Sequence, residues 1–345
     1  MKLCAAVAIS ALSSLMIVGC GSAPSAAPAS DGALAGRSIP LSVKTIDQGS
    51  TTRMMVQVSI GGGPAIPVML DTGSQGLRVF ADAVGSQGIT PTQTNTSETF
   101  ATGVRLNGVV ATAPLVVGGL PTAGPIPIMV IQGVDCDPSV SFCQPQWASE
   151  AVVMADNFGA QGILGIGRMY GHNGVFSPIL QLEGGVPSSY SVHLSDSGNG
   201  QIVFGQPPTS PLATWSTPPD GVPQQANGIN AWNDTAVAAC WSIGGTPATC
   251  VPTAFDTGSP AMNLAQGLPG VPKPNAASIL PNGIVVGLSS GADASPFKSV
   301  TSGMSNDAMM QSHPTAGATQ VNSGWTWFRL LTISYNVADG QVSVA

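Results

Sequence analysis

The chain carries one local pattern twice. Ser59-Ile60-Gly61-Gly62-Gly63-Pro64-Ala65 runs into Asp71-Thr72-Gly73-Ser74, and Ser242-Ile243-Gly244-Gly245-Thr246-Pro247-Ala248 runs into Asp256-Thr257-Gly258-Ser259. The two aspartates are 185 residues apart. Each follows a short apolar run, Val68-Met69-Leu70 or Ala254-Phe255, that reads as a buried strand entering a tight glycine turn. A carboxylate repeated on a repeated hairpin implies two duplicated lobes, each delivering one Asp to a shared site.

Two carboxyls forced within hydrogen-bonding distance cannot both ionise. One loses its proton easily, the other keeps it, and the pair holds a single shared proton. The ionised member then takes a proton from a water attacking an amide carbonyl, while its partner donates toward the carbonyl oxygen and later to the leaving nitrogen. Gly73 and Gly258 allow the loops to approach without a Cβ clash, and the hydroxyls of Thr72, Ser74, Thr257 and Ser259 are expected to orient the carboxylates. No metal, cofactor or covalent intermediate is required.

With these motifs the sequence resembles the pepsin-like aspartic proteases over most of residues 50 to 345. Ser97-Glu98-Thr99-Phe100-Ala101-Thr102-Gly103 resembles the family's flap hairpin, and Leu115-Val116-Val117-Gly118-Gly119-Leu120 the strand after it. Gly162-Ile163-Leu164-Gly165-Ile166-Gly167 is similar to the segment that passes behind the first catalytic loop. Tyr190 to Ser195 and Gly200 to Gly205 are similar to the strands between the lobes, and Gly324 to Phe328, Leu331 to Asn336 and Gly340-Gln341-Val342 to the closing segment. The resemblance implies an all-β, bilobal fold with an interlobe cleft, lobes at 41–205 and 206–345, and an endopeptidase whose catalytic residues are Asp71 and Asp256. Phe100, Thr102 and Gly103 would cover a peptide or protein substrate, and the protein is expected to be a monomer.

Two departures stand out. The family's flap Tyr hydrogen-bonds to a Trp shortly after the first Asp-Thr-Gly, and here Phe100 and Arg78 occupy those places, leaving Phe100 as an apolar lid. The second lobe's counterpart of Ile163-Leu164-Gly165 reads Asn322-Ser323-Gly324. A folded but inactive cell-envelope binding protein that uses the same cleft is the alternative function.

Other chemistries find little to build on. A single Asp-Thr-Gly would read as an ordinary turn, but the second copy in register argues against it. His172, His193 and His313 are far apart, and neither His-Glu-x-x-His nor Gly-x-Ser-x-Gly occurs. Gly61-Gly62-Gly63 lacks the Lys-Ser/Thr and following helix of a phosphate loop and reads as a hairpin turn. Lys and Arg total 10 against 17 Asp and Glu, with no basic cluster, so nucleic acid is not an expected partner.

The abundance of 43 Gly and 29 Pro beside short apolar runs points to β-architecture with long loops. Met54, Val56, Val58 and Ile60 alternate onto one face of a strand. Short helices are expected within 156–179 and 306–311, and surface loops at 207–223 and 268–281.

Met1-Lys2 and the apolar stretch through Val18 have the form of a secretory signal at 1–19. Ile17-Val18-Gly19-Cys20 resembles a bacterial lipobox, which implies lipid attachment to Cys20 and export to the outer side of the cytoplasmic membrane, with ordinary secretion as the alternative. Loss of that leader removes Lys2 and takes the formal net charge from −7 to −8. Residues 20–40 read as a flexible tether. Because 21–49 hold only Arg37 and Lys44, no pepsin-type basic pro-segment is expected. Cys136 with Cys143 and Cys240 with Cys250 form close pairs suited to disulfides in an oxidising compartment, with free thiols as the alternative, and their spacing does not suit zinc.

Overall fold

A computed structural model of the protein describes residues 33–345 apart from 47–50, 86–87, 141–142, 157–158, 196–197, 206, 226, 266, 274–278, 304–309 and 313–318. The leader, Cys20 and most of the tether therefore lie outside the described residues, as does most of the helix expected at 306–311.

In the N-terminal half the strands are β1 (Ser38–Ile46), β2 (Thr51–Ile60), β3 (Ile66–Asp71), β4 (Gln75–Phe80), β5 (Thr90–Thr99) and β6 (Val104–Ala113). They are followed by β7 (Leu115–Val117), β8 (Leu120–Pro121), β9 (Ile126–Cys136), β10 (Gly162–Ile166), β11 (Ser189–Leu194) and β12 (Asn199–Phe204). Next come β13 (Ala213–Ser216), β14 (Pro219–Gln224), β15 (Asn230–Trp232), β16 (Val237–Ile243), β17 (Thr249–Ala254) and β18 (Met262–Leu264). The last are β19 (Val285–Ser289), β20 (Lys298–Thr301), β21 (Met310–Ser312), β22 (Val321–Asn322), β23 (Ile333–Asn336) and β24 (Gln341–Val344). Only two short α-helices occur among the described residues, α1 (Glu150–Asp156) and α2 (Thr326–Leu330), so the fold is nearly all-β.

The repeated sequence becomes a repeated hairpin. β2 pairs with β3 and β16 with β17, and equivalent turns close where Gly63 N–H donates to Ile60 O (3.0 Å) and Thr246 N–H to Ile243 O (3.1 Å). Behind each aspartate loop a strand runs parallel: β10 beside β3, with Ile163 opposite Met69 and Gly165 opposite Asp71, and β22 beside β17, with Asn322 opposite Ala254. Ile163 and Asn322 thus both face the residue two before their aspartate. Ile163-Leu164-Gly165 and Asn322-Ser323-Gly324 are structural counterparts.

The halves are joined through one large sheet. β11 pairs with β12 and β23, β24 pairs with β23 and β13, and β12 pairs with β1, so the C-terminal strands sit in the same sheet as β1–β4. A separate seven-stranded sheet carries β16–β22.

The expected apolar face of β2 is buried, with Met54, Val56, Val58 and Ile60 all in the main core. Met55 points the other way, into a smaller cluster with Met69, Phe80, Leu106, Met129 and Ile131 beneath the β5–β6 hairpin. The span 156–179 differs from the expected short helices. α1 ends at Asp156 and, among the described residues, only single 3-10 turns at His172–Gly174 and Pro178–Leu180 follow, because the apolar run Ile163-Leu164-Gly165-Ile166 is buried on both faces as a central strand. Nor is 207–223 simply a loop. It contains β13 and most of β14, and Trp215 is buried against Phe255, with ring centroids 5.9 Å apart.

Candidate active site

The two Asp-Thr-Gly-Ser loops meet face to face. Thr72 N–H donates to Thr257 Oγ1 (3.0 Å) and Thr257 N–H to Thr72 Oγ1 (2.9 Å). Each hydroxyl then donates across the junction, Thr72 to Phe255 O (2.7 Å) and Thr257 to Leu70 O (3.0 Å). Both threonines are buried, so every one of these groups is satisfied by the opposite loop. The threonines therefore do not hold the carboxylates as expected. Their hydroxyls are consumed in fastening one loop to the other, which orients the aspartates indirectly.

That fastening presses Asp71 and Asp256 together. A Cβ on Gly73 would lie 2.6 Å from the Asp256 carboxyl carbon, and one on Gly258 would lie 2.7 Å from Asp71 Oδ1, so only glycine fits at either place. Gly73 N–H donates to Asp71 Oδ1 (2.8 Å) and Gly258 N–H to Asp256 Oδ1 (2.7 Å). The carboxyls are within hydrogen-bonding reach of each other, and Asp256 is pushed up to about 7, first by burial and then by the charge of Asp71. Asn322 and Gly258 N–H work against that rise by donating to the ionised form. Asp256 is therefore the member of the pair that burial and its neighbour press to keep a proton.

Beyond the backbone the two halves diverge. Ser74 Oγ donates to Asp71 Oδ2 (2.5 Å) and accepts from Arg78 Nη1 (3.2 Å). Ser259, expected to do the same for Asp256, does not. Its hydroxyl donates to Ala261 O (2.8 Å), and its oxygen accepts from Asn263 Nδ2 (3.2 Å), because the chain after Ser259 turns so that a backbone carbonyl stands nearer than the carboxylate. Asn322 takes the vacated role, donating from Nδ2 to Asp256 Oδ2 (2.6 Å) while its Oδ1 accepts Gly324 N–H (2.9 Å). Sequence reasoning missed this residue. The available signal was an amide at a place where the first half has Ile163, since a polar side chain in a strand behind a buried carboxylate needs a partner.

Arg78, which stands in place of the family's Trp, is buried. It pairs through Nη2 with Glu98 Oε2 (3.1 Å) on β5 and lies over the Phe100 ring, 5.8 Å from its centroid. The aromatic hydrogen bond is absent, yet the hairpin remains tied to the aspartate loop by an ion pair and a cation–π contact. Phe100 is half-buried against the second core cluster, so its ring supports the hairpin rather than hanging as a free lid. Thr102 is exposed at the turn, whereas Gly103 is buried. Asp137 N–H donates to Gly103 O (2.9 Å) and Thr99 Oγ1 donates to Asp137 Oδ2 (2.9 Å), bracing the turn from the side.

Both expected disulfides are formed. Cys136–Cys143 closes the loop that carries Asp137 and so braces the hairpin turn, and Cys240–Cys250 joins residues directly opposite each other on β16 and β17, the hairpin that feeds Asp256. Such bridges fit a chain folded in an oxidising compartment.

Residues remote from the motifs hold the halves in place. Arg168, two residues after β10, is fully buried and pairs with Asp234 (2.6 Å, Nη2 to Oδ1), while its backbone N–H donates to Asp234 Oδ2 (2.6 Å). Its Nη1 also donates to the carbonyls of Asn336 and Gln341, so one guanidinium ties β10 to the closing strands. Tyr190 Oη donates to Ile166 O (2.7 Å) and Tyr335 Oη to Phe255 O (3.1 Å), their stacked rings 5.0 Å apart. Among the described residues no group of three or more His, Cys, Asp and Glu is gathered to hold a metal ion.

A nearly all-β fold that brings two Asp-Thr-Gly-Ser loops face to face defines an aspartyl-peptidase-like protein. Residues 37–337 match the model of the PE-PGRS C-terminal aspartyl peptidase-like domain, and the chain belongs to that family. None of the curated proteins matches the chain.

Proposed function

We propose that this protein is a pepsin-like aspartic endopeptidase in which Asp71 and Asp256 share one proton. The observation that carries the reading is the facing carboxyl pair, fixed by reciprocal Thr72–Thr257 hydrogen bonds and split in proton affinity by burial and mutual charge. Asp71 takes a proton from the attacking water, and Asp256, which keeps its proton to about pH 7, donates to the carbonyl oxygen of the scissile amide. The tetrahedral intermediate collapses as the leaving nitrogen receives a proton from the pair. The β5–β6 hairpin covers an extended peptide whose backbone supplies affinity and whose side chains supply preference.

The disulfides support an extracellular or surface location. Ile17-Val18-Gly19-Cys20 supports lipid attachment at Cys20, and a Cys20→Ser protein should then leave the membrane fraction. The substrates are peptides or neighbouring surface proteins, and the protein acts as a monomer.

The test is proteolysis of a diverse peptide library from acidic to neutral pH beside Asp71→Asn and Asp256→Asn. Cleavage by the wild type that either substitution reduces by about 10³-fold or more supports the shared-proton mechanism. A folded wild type that binds peptides and leaves them intact at every pH makes the protein a cell-envelope binding module instead.

A further inference from the structure

We infer that Asn322 is a positioning residue that fixes Oδ2 of Asp256 as a hydrogen-bond acceptor and thereby sets how firmly the carboxyl pair holds its shared proton. The inference rests on the reading of Asp71 and Asp256 as a proton-sharing pair.

The amide can face only one way. Its Oδ1 is occupied by Gly324 N–H at 2.9 Å, which leaves Nδ2 aimed at Asp256 Oδ2 at 2.6 Å, and a flipped amide would set its oxygen against the carboxylate while Gly324 N–H met a donor. This differs in kind from the arrangement at Asp71. Ser74 is a hydroxyl, able to donate to a carboxylate or accept from a carboxylic acid, and so serves either charge state of its aspartate. An amide NH₂ can only donate. It favours the ionised form of Asp256 and confines any proton on Oδ2 to directions away from Asn322.

The hydroxyl at the corresponding place in the second half offers no substitute. Ser259 Oγ is engaged by Ala261 O and Asn263 Nδ2, so the side-chain donor that reaches Asp256 comes from β22, on the strand behind the loop. Asp256 is also faced by Asp71 across the pair, and the Tyr335 hydroxyl donates to the carbonyl of Phe255 just before it. Burial holds the Tyr335 phenol well above its ordinary range, so it stays neutral throughout. Arg78 stands behind Ser74 on the far side of Asp71. Of the groups around Asp256, burial and Asp71 favour the proton, while Asn322 and the Gly258 N–H oppose it, and Asn322 is the one of those two that a substitution can remove.

The experiment follows the carboxyl pair directly in the full chain labelled at the aspartate γ-carboxyl carbon, titrated by NMR in wild type, Asn322→Leu and Asn322→Asp. Asp256→Asn identifies the signal by deleting it. Asn322→Leu removes the donor. Asn322→Asp also removes it, keeps an acceptor for Gly324 N–H and adds a charge, so its shift sets the upper bound for a neighbour that opposes ionisation. The upper midpoint of the pair should rise by about one pH unit in Asn322→Leu, a roughly tenfold gain in proton affinity, and further in Asn322→Asp, which adds a third carboxyl. In a cleaving enzyme the alkaline limb of kcat/KM moves upward in parallel. A midpoint that stays at the wild-type value or falls in folded Asn322→Leu overturns the inference. A raised midpoint in a protein that cleaves nothing keeps this role for Asn322 and removes the protease reading.

Discussion

Thr72 and Thr257 make matching hydrogen bonds across the junction, each accepting the other's amide and donating to a carbonyl of the opposite loop, whereas Ser74 and Ser259, two residues further along, part company. Ser74 reaches Asp71 and is itself backed by Arg78; Ser259 turns to Ala261 O, and Asp256 is served from β22 by Asn322. Arg78 and Asn263 even keep equivalent places, each donating to the serine four residues before it at 3.2 Å. Duplication thus preserved the contacts that each loop makes with the other. It did not preserve the contacts that each makes with its own lobe, where one half carries a hairpin tied by Arg78–Glu98 and the other packs Trp241 and Trp215 against Phe255, the residue before its aspartate. Two identical tetrapeptides therefore sit in unlike surroundings, and unlike surroundings are what a pair needs if one carboxyl is to be acid while the other is base.

The sharpest way to break this comparison is to neutralise one carboxyl at a time. Beyond abolishing cleavage, Asp256→Asn should remove a pH dependence of stability. The Asp256 carboxyl binds its proton more tightly folded than unfolded, so its contribution is fully present below 3.8 and lost as pH rises through about 7. Thermal melting of the wild type between those values should fall with pH more steeply than that of the variant.

Next in size are the reciprocal threonines. Thr72→Val and Thr257→Val each strand a buried amide and remove a hydroxyl donor from a carbonyl of the opposite loop, although Phe255 O keeps the Tyr335 hydroxyl, and should each cost about 2 kcal/mol in denaturant unfolding. Costs that differ by more than a factor of two would show that the junction is less symmetric than its hydrogen bonds.

The serines should separate the halves. Ser74→Ala is expected to lower kcat/KM for a cleaved peptide by about 10- to 100-fold, as loss of a donor to a charged acceptor does, while Ser259→Ala stays within about twofold of wild type. Equal losses would mean that Ser259 swings to Asp256 during turnover. An effect mainly on substrate binding is expected from Arg78→Leu, which frees the hairpin from its ion pair and cation–π contact. It should raise KM about tenfold with a lesser change in kcat, measured on the same peptide.

Much of this arrangement was legible in the residues. The two Asp-Thr-Gly-Ser copies, the matching hairpins, the alternation of Met54 to Ile60 and the two cysteine pairs each express a local rule, and local rules are written in adjacent residues. What went unread depends on distance in the chain. Ser259 and Ser74 both follow Asp-Thr-Gly, and nothing within the tetrapeptide says that one hydroxyl will meet a carboxylate and the other a carbonyl. The buried Arg168–Asp234 pair was equally silent, because its partners lie 66 residues apart and meet only once β10 and the closing strands are assembled.

By itself, then, the sequence determined that two carboxylates would be delivered on two glycine turns of a β-rich chain, since strand alternation, turn chemistry and the need for a glycine at a close approach are all set within a few residues. Only the tertiary structure decided which side chains complete each carboxyl's shell. That choice depends on which strand passes behind each loop and which way a hydroxyl finds its nearest acceptor, and it assigned Ser74 with Arg78 to Asp71 and Asn322 to Asp256.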